Sequence, residues 1–173
     1  MPLDLVTDEP VAFLCAVMAS GPEAVQQAFD DLAGEFGEIR ARSPLFDFDM
    51  TDYYEAEMGP GLCKSLAWFG PAVAPAELSA RKQATITFER DRAQQDRRTV
   101  NVDPGLLSTN SLVLATTKAR GHRICIAPGL WAEVTLMFEK GAYRPQPWTY
   151  RDYQRQDVGA FLLDVRRQLT MAR

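Results

Sequence analysis

Val11-Ala12-Phe13-Leu14-Cys15-Ala16-Val17-Met18-Ala19, followed by Ser20-Gly21-Pro22, sets the reading of the whole chain. This unbroken apolar run is far shorter than the roughly 20 residues of a membrane span and suits a strand buried on both faces. Ser20-Gly21-Pro22 stops it. Ser20 and Glu23 stand at capping-box spacing, and Pro22 fits a first helical turn. Val25, Ala28, Phe29, Leu32 and Phe36 then recur at helical spacing, and Gly37 ends the helix.

Working outward, residues 38–48 read as extended, with Pro44 marking an edge or a bulge. Residues 49–60 read as an ordered loop or short helical turn, and residues 62–69 as a strand stopped at Gly70-Pro71. Residues 76–94 are ambiguous, because Ala84, Ile86 and Phe88 alternate with Thr85, Thr87 and Glu89; Pro75 favours a helix. Residues 99–102 form a strand closed by Asp103-Pro104-Gly105, and residues 112–116 fit a strand or a short helix. A hairpin is expected from residues 123–127 and 131–138, joined by Pro128-Gly129, with 142–147 as a third strand. The chain closes on an amphipathic helix over 157–171, with Phe161, Leu162, Val165 and Leu169 on one face. The expected fold is α+β, a single domain over residues 1–173. Its mixed or antiparallel sheet has a ferredoxin-like β-α-β-β-α-β start, an added β-meander and a C-terminal helix.

The composition agrees with a globular chain: 173 residues, 46% hydrophobic and 24% charged. Nineteen basic residues against 23 acidic ones, net −4, argue against a nucleic-acid coat. Cys15, Cys63 and Cys125 make no disulfide framework and suit a reducing compartment. His122 is the single histidine, so the paired Cys and His ligands of structural zinc are missing. The opening MPLDLVTDEP carries acids where a signal peptide needs positive charge. These features predict a soluble, cytoplasmic protein with no membrane segment, and leave its oligomeric state open.

Several strings together resemble one family. They are Asp52-Tyr53-Tyr54-Glu55-Ala56-Glu57-Met58-Gly59, Val100-Asn101-Val102-Asp103-Pro104-Gly105 and Leu114-Ala115-Thr116-Thr117-Lys118. His122-Arg123-Ile124, Ala132-Glu133-Val134-Thr135-Leu136 and Trp148-Thr149-Tyr150-Arg151-Asp152-Tyr153 complete them. In this order they resemble the bacterial family catalogued as domain of unknown function 4416, over nearly the whole chain. The resemblance implies no activity. Cys125 and Trp131 stand where that pattern has tyrosines, which removes Cys125 from any shared chemistry.

Some relatives carry the label "GTP-binding protein", but the phosphate loop that label calls for is missing. In Gly59-Pro60-Gly61-Leu62-Cys63-Lys64-Ser65, Cys63 replaces the required glycine and Pro60 lacks an amide donor. The stretch reads as a turn entering a strand.

Chemistry-bearing residues fall in four groups. Asn101 and Asp103 share one face of a strand, as Glu133 and Thr135 do on another, with Val102 and Val134 turned away. If these faces meet in a polar cleft, Asp103 and Glu133, with Glu55, suit Mg²⁺ or Mn²⁺. Otherwise they are a solvated sheet face, with Asp103 capping the Pro104-Gly105 turn. Tyr54, Glu55 and Glu57 lie in a polar-aromatic segment; Glu55 is a candidate general base or metal ligand, or the acids simply favour a helix N-terminus. Lys118, His122 and Arg123 bracket Gly121 and suit a phosphate, with His122 as a proton donor; a solvated basic turn is the alternative.

Trp148, Tyr150 and Tyr153, interleaved with Arg151 and Arg155, suit base stacking or the packing of the last helix. Lys82, Thr85, Glu89 and Arg92 read as a charge-laced exposed helix face. The sequence thus supports a non-catalytic binding or assembly module whose surface for a protein partner centres on Tyr53, Tyr54, Trp148 and Tyr150. The alternative is a protein or enzyme that binds a small phosphorylated ligand, assisted by a divalent metal.

Overall fold

The apolar run is strand β1 (Val11–Ser20), and every residue from Val11 to Ala19 is buried. Its side chains alternate between two cores. Phe13, Cys15 and Val17 face one, while Leu14, Ala16 and Met18 face the other. The computed structural model describes residues 9–172; Met1–Asp8, which include most of the acidic opening, and Arg173 lie outside the described residues.

Around β1 lies one antiparallel sheet of nine strands: β2 (Ile39–Arg42), β3 (Phe46–Asp47), β4 (Leu62–Val73), β5 (Val100–Leu107), β6 (Ser111–Thr116), β7 (Ile124–Ala127), β8 (Leu130–Glu139) and β9 (Ala142–Pro145). The order is β2-β4-β1-β5-β6-β8-β7. β2 and β3 follow one another along the same edge of β4, and β7 and β9 do so along β8.

Helices α1 (Pro22–Phe36) and α3 (Leu78–Asp91) cover one face, burying Val25, Phe29, Leu32, Leu78 and Phe88. Helix α4 (Gln156–Met171) covers the other with Val158, Phe161, Leu162, Val165 and Leu169. Each fully buried Leu or Phe contributes about 1.5–3 kcal/mol, so both layers are needed. A short helix α2 (Glu55–Met58) precedes β4. Residues 76–94 are helical over α3, entered by a 3-10 turn at Pro75–Glu77. Residues 111–116 are a strand. Among the described residues no helix is long and apolar enough to cross a membrane.

Four local expectations are corrected. No Ser20–Glu23 capping box forms: Gly21 is the N-cap, and the Ser20 hydroxyl donates to the Pro60 carbonyl at 3.0 Å. β4 does not stop at Gly70-Pro71 but runs on to Val73, because Gly70 adopts φ +61° where the strand passes under the end of α1. β5 likewise continues through Asp103-Pro104-Gly105, so Asp103 is a strand residue and caps no turn. Pro104 faces Cys15 of β1 and lies outside the β5–β6 register, where its missing N–H breaks no bond to β6.

Thr135 is the extra residue of a β-bulge, since Leu112 pairs with Leu136 while Val113 pairs with Val134. The bulge lies after Glu133, and it puts Glu133 and Leu136 on one face, opposite Leu114 and Leu112; Glu133 and Thr135 are both buried, and Val134 between them is more than a third exposed. The charged face of α3 points inward: Lys82 and Thr85 are buried, and Arg92 pairs with Asp31 of α1 at 2.9 Å.

Candidate functional site

The sheet opens in its middle. β5 and β6 pair only from Gly105 to Leu107, and Gly105 is required there because a Cβ would lie 2.6 Å from the Leu114 side chain and 2.9 Å from the Val113 carbonyl. Toward Val100 and Thr116 the two strands part. The freed edge of β5 is satisfied by side chains of α3 instead of a strand. The Val102 N–H donates to Glu89 at 2.5 Å, and the Lys82 ammonium reaches the Val102 carbonyl at 3.5 Å. Burial raises the Glu89 carboxyl above its usual range, although the Val102 amide and Lys82 oppose that shift.

In this opening lies a cavity of about 710 Å³, within the usual range for small-molecule sites. Its buried end centres on Lys64, whose ammonium lies 2.7 Å from Asp152 and 3.2 Å from Asp103. Register explains this contact. Lys64 pairs with Met18 and Asp103 with Ala16, so the lysine reaches diagonally across β1 over the small Ala16 side chain. The rings of Tyr153 and Phe48 flank the ammonium at 5.2 and 5.6 Å.

Burial opposes the Lys64 charge, but Tyr153, Asp152 and Asp103 outweigh it and hold the ammonium well above the usual lysine range. Burial opposes the Asp103 charge too; Lys64, Lys82 and the Asn101 amide, which donates at 3.1 Å, keep its carboxyl below the usual range. Burial and the nearby Asp103 push the Tyr54 hydroxyl up to about 12.

The outer end carries the groups that the sequence assigned to phosphate. Lys118 is exposed, its ammonium 5.2 Å from the Tyr53 ring. The Arg123 guanidinium is buried; it donates to Glu133 at 2.7 Å and to the Lys118 carbonyl at 2.7 Å. Tyr54, Asn101, Asp103, Lys118, Arg123 and Glu133 therefore line one cavity. His122 stands behind them: its Nε2 lies 2.9 Å from the same Glu133 oxygen, and its ring stacks on Trp148 at 4.6 Å. Glu57 also acts from behind, by gripping Arg98 with both oxygens at 2.8 and 2.7 Å. These bonds hold its carboxyl below the usual range.

Besides His122 and Glu57, two more predicted residues do not line the cavity. Glu55, on the first turn of α2, is exposed and lines no part of the cavity. Thr135 is fully buried at the bulge. Among the described residues no group of three or more His, Cys, Asp and Glu side chains gathers as a metal site. Asp103 and Glu133 are instead bound by cationic side chains.

A model of the family described as Domain of unknown function (DUF4416) matches residues 9–169. The chain belongs to this family. Every cavity residue falls within the DUF4416 match. No curated protein and no solved structure matches the chain.

Within this DUF4416 chain, sequence reasoning missed Lys64 as a site residue. It also read Lys82 and Glu89 as an exposed surface, and gave Arg98 and Asp152 no site role. One signal was present: Lys64 is a lone charge inside Leu62-Cys63-Lys64-Ser65-Leu66-Ala67-Trp68-Phe69, a strand otherwise apolar but for Ser65. A charge in a strand buried on both faces must have a buried counter-charge.

Proposed function

We propose that this protein binds a small phosphorylated ligand in the cavity between β5 and β6, with the phosphate at the Lys118 end. One observation carries the reading: the cavity is lined by six cationic and four acidic side chains, in a chain whose net charge is −4. Among the described residues Lys82, Lys118 and Arg151 have no carboxylate within ion-pair distance, so cationic capacity remains for an anion. Tyr53 and Tyr150, expected at a partner surface, are 64% and 57% exposed and line the same cavity. They suit the wall of a ligand site that closes over a ring or a chain.

This reading needs no metal, because of the carboxylates proposed for Mg²⁺ or Mn²⁺ Asp103 already holds Lys64, Glu133 holds Arg123 and His122, and Glu55 lies outside the cavity. The order β2-β4-β1-β5, with α1 and α3 on one face, supports a ferredoxin-like unit carrying the site on its β5 edge.

The test is a thermal-shift and calorimetric screen with inorganic phosphate, pyrophosphate, sugar phosphates and nucleotides, each with EDTA or Mg²⁺. A ligand at 100 times its Kd adds about 2.7 kcal/mol, roughly 5–10 °C for a chain of this size. The expected result is such a shift with EDTA present, lost in Lys118→Ala and kept in Glu55→Ala. A flat screen refutes the reading, and a shift seen only with Mg²⁺ refutes its metal-free form.

A further inference from the structure

The buried end of the cavity differs chemically from the cationic outer end, and it contains an unfinished hydrogen-bond set. Tyr153 is only 4% exposed and lines the cavity, yet among the described residues its hydroxyl has no partner. Unpaired buried hydroxyls are rare, and each one needs an explanation. Beside it, the Lys64 ammonium has three donors, of which Asp103 and Asp152 take two. Asp103 keeps a third of its side chain open, and both of its bonds, from Lys64 and Asn101, fall on Oδ2. Asn101 is engaged on both sides of its amide, donating to Asp103 and accepting from Arg98 at 2.8 Å.

The open groups are thus a carboxylate acceptor, an ammonium donor and a hydroxyl that does both. A second phosphate would meet Asp103 and Asp152, and an amine would meet Lys64. An apolar group would leave all three open groups unpaired. Alcohol groups fit all three, because each donates one hydrogen bond and accepts others.

From the unpaired Tyr153 hydroxyl, the open Asp103 oxygen and the Lys64 ammonium together, we infer that the ligand's non-phosphate end is a polyhydroxylated carbon skeleton, making it a sugar or polyol phosphate. This rests on the phosphate reading of the same cavity and extends it.

The experiment measures Kd by calorimetry for inorganic phosphate, methyl phosphate, ribose 5-phosphate and a 5′-nucleotide on the intact protein and on Tyr153→Phe. Ribose 5-phosphate is expected to bind at least tenfold tighter than methyl phosphate. Tyr153→Phe keeps the ring and removes only the unpaired hydroxyl, so its Tm should equal or exceed the parent's. It should shrink the tenfold gap to less than threefold and leave the methyl phosphate Kd unchanged. Asp103→Asn is the second variant and should shrink the same gap. Equal binding of methyl phosphate and ribose 5-phosphate overturns the sugar inference and leaves the phosphate site standing. So does a gap that survives Tyr153→Phe, or a gain seen only with the nucleotide. No binding of any of the four overturns both.

Discussion

Replacing Lys64 by methionine tests the buried charge cluster at its centre. The ammonium is 5% exposed and Asp152 6%, with N–O distances of 2.7 and 3.2 Å. At an effective dielectric near 20, the two pairs amount to about 6 and 5 kcal/mol of gross attraction. Desolvation of the three ions cancels several kcal/mol of that. Lys64→Met keeps the volume but leaves the buried Asp152 and the partly buried Asp103 without their shared counter-charge. Breaking a buried pair in this way costs about 3–5 kcal/mol, a large share of a stability of about 5–15 kcal/mol.

The pH dependence is the sharper part of this prediction. In the parent the Asp103 carboxyl is held below its unfolded value. It therefore contributes stability that is full above about pH 4 and is lost as pH falls through the folded value. Without Lys64, burial is opposed only by Lys82 and the Asn101 amide, and the folded value should rise above the unfolded one. The variant should then lose stability as pH rises, and its deficit should be largest at pH 7–8 and shrink toward pH 4. Urea denaturation at several pH values reads this directly. Adding Asp103→Asn and Asp152→Asn to Lys64→Met should recover most of the loss. A deficit under about 1 kcal/mol at pH 7, or one that is the same at every pH, refutes the reasoning.

Three other outcomes follow from packing. Gly70→Ala should cost about 2–4 kcal/mol in urea denaturation, since its Cβ would lie 2.5 Å from the Phe36 carbonyl at φ +61°; Gly59→Ala, with open space at φ +84°, should cost less. Thr135→Val removes an unpaired buried hydroxyl, so the Tm should stay or rise; a fall of more than about 5 °C would show that the hydroxyl is bonded. Iodoacetamide should modify Cys125 alone in the native protein and all three thiols in urea, read by mass spectrometry. Cys15 and Cys63 are buried, and burial pushes both thiols up, away from the reactive thiolate.

Elements were legible where the signal is local. The apolar run of β1, the spacing of α1 and α4, and the Pro128-Gly129 hairpin each state their structure within a few residues. Errors arose where a local breaker was overruled by neighbours. Gly70-Pro71 and Pro104-Gly105 look like ends, but the long ladders with β1 carry the chain through them. Half of the site was legible for the same reason, since Asn101 with Asp103, and Lys118 with Arg123, are close in sequence and were singled out by their chemistry. That these two pairs meet, with Glu133 between Arg123 and His122, depends on where β5 parts from β6.

The sequence by itself determined the elements and most of their order, because turn chemistry and hydrophobic period act over a few residues. Only the tertiary structure decided the site. Strand register brings Lys64 across Ala16 to Asp103, 39 residues away. A single bulge at Thr135 shifts which side chains of β8 share a face. Burial then turns the charges of α3 from a solvated surface into the wall of a cavity. Each of these depends on pairing between distant segments, and a one-residue change in register reverses every face it sets.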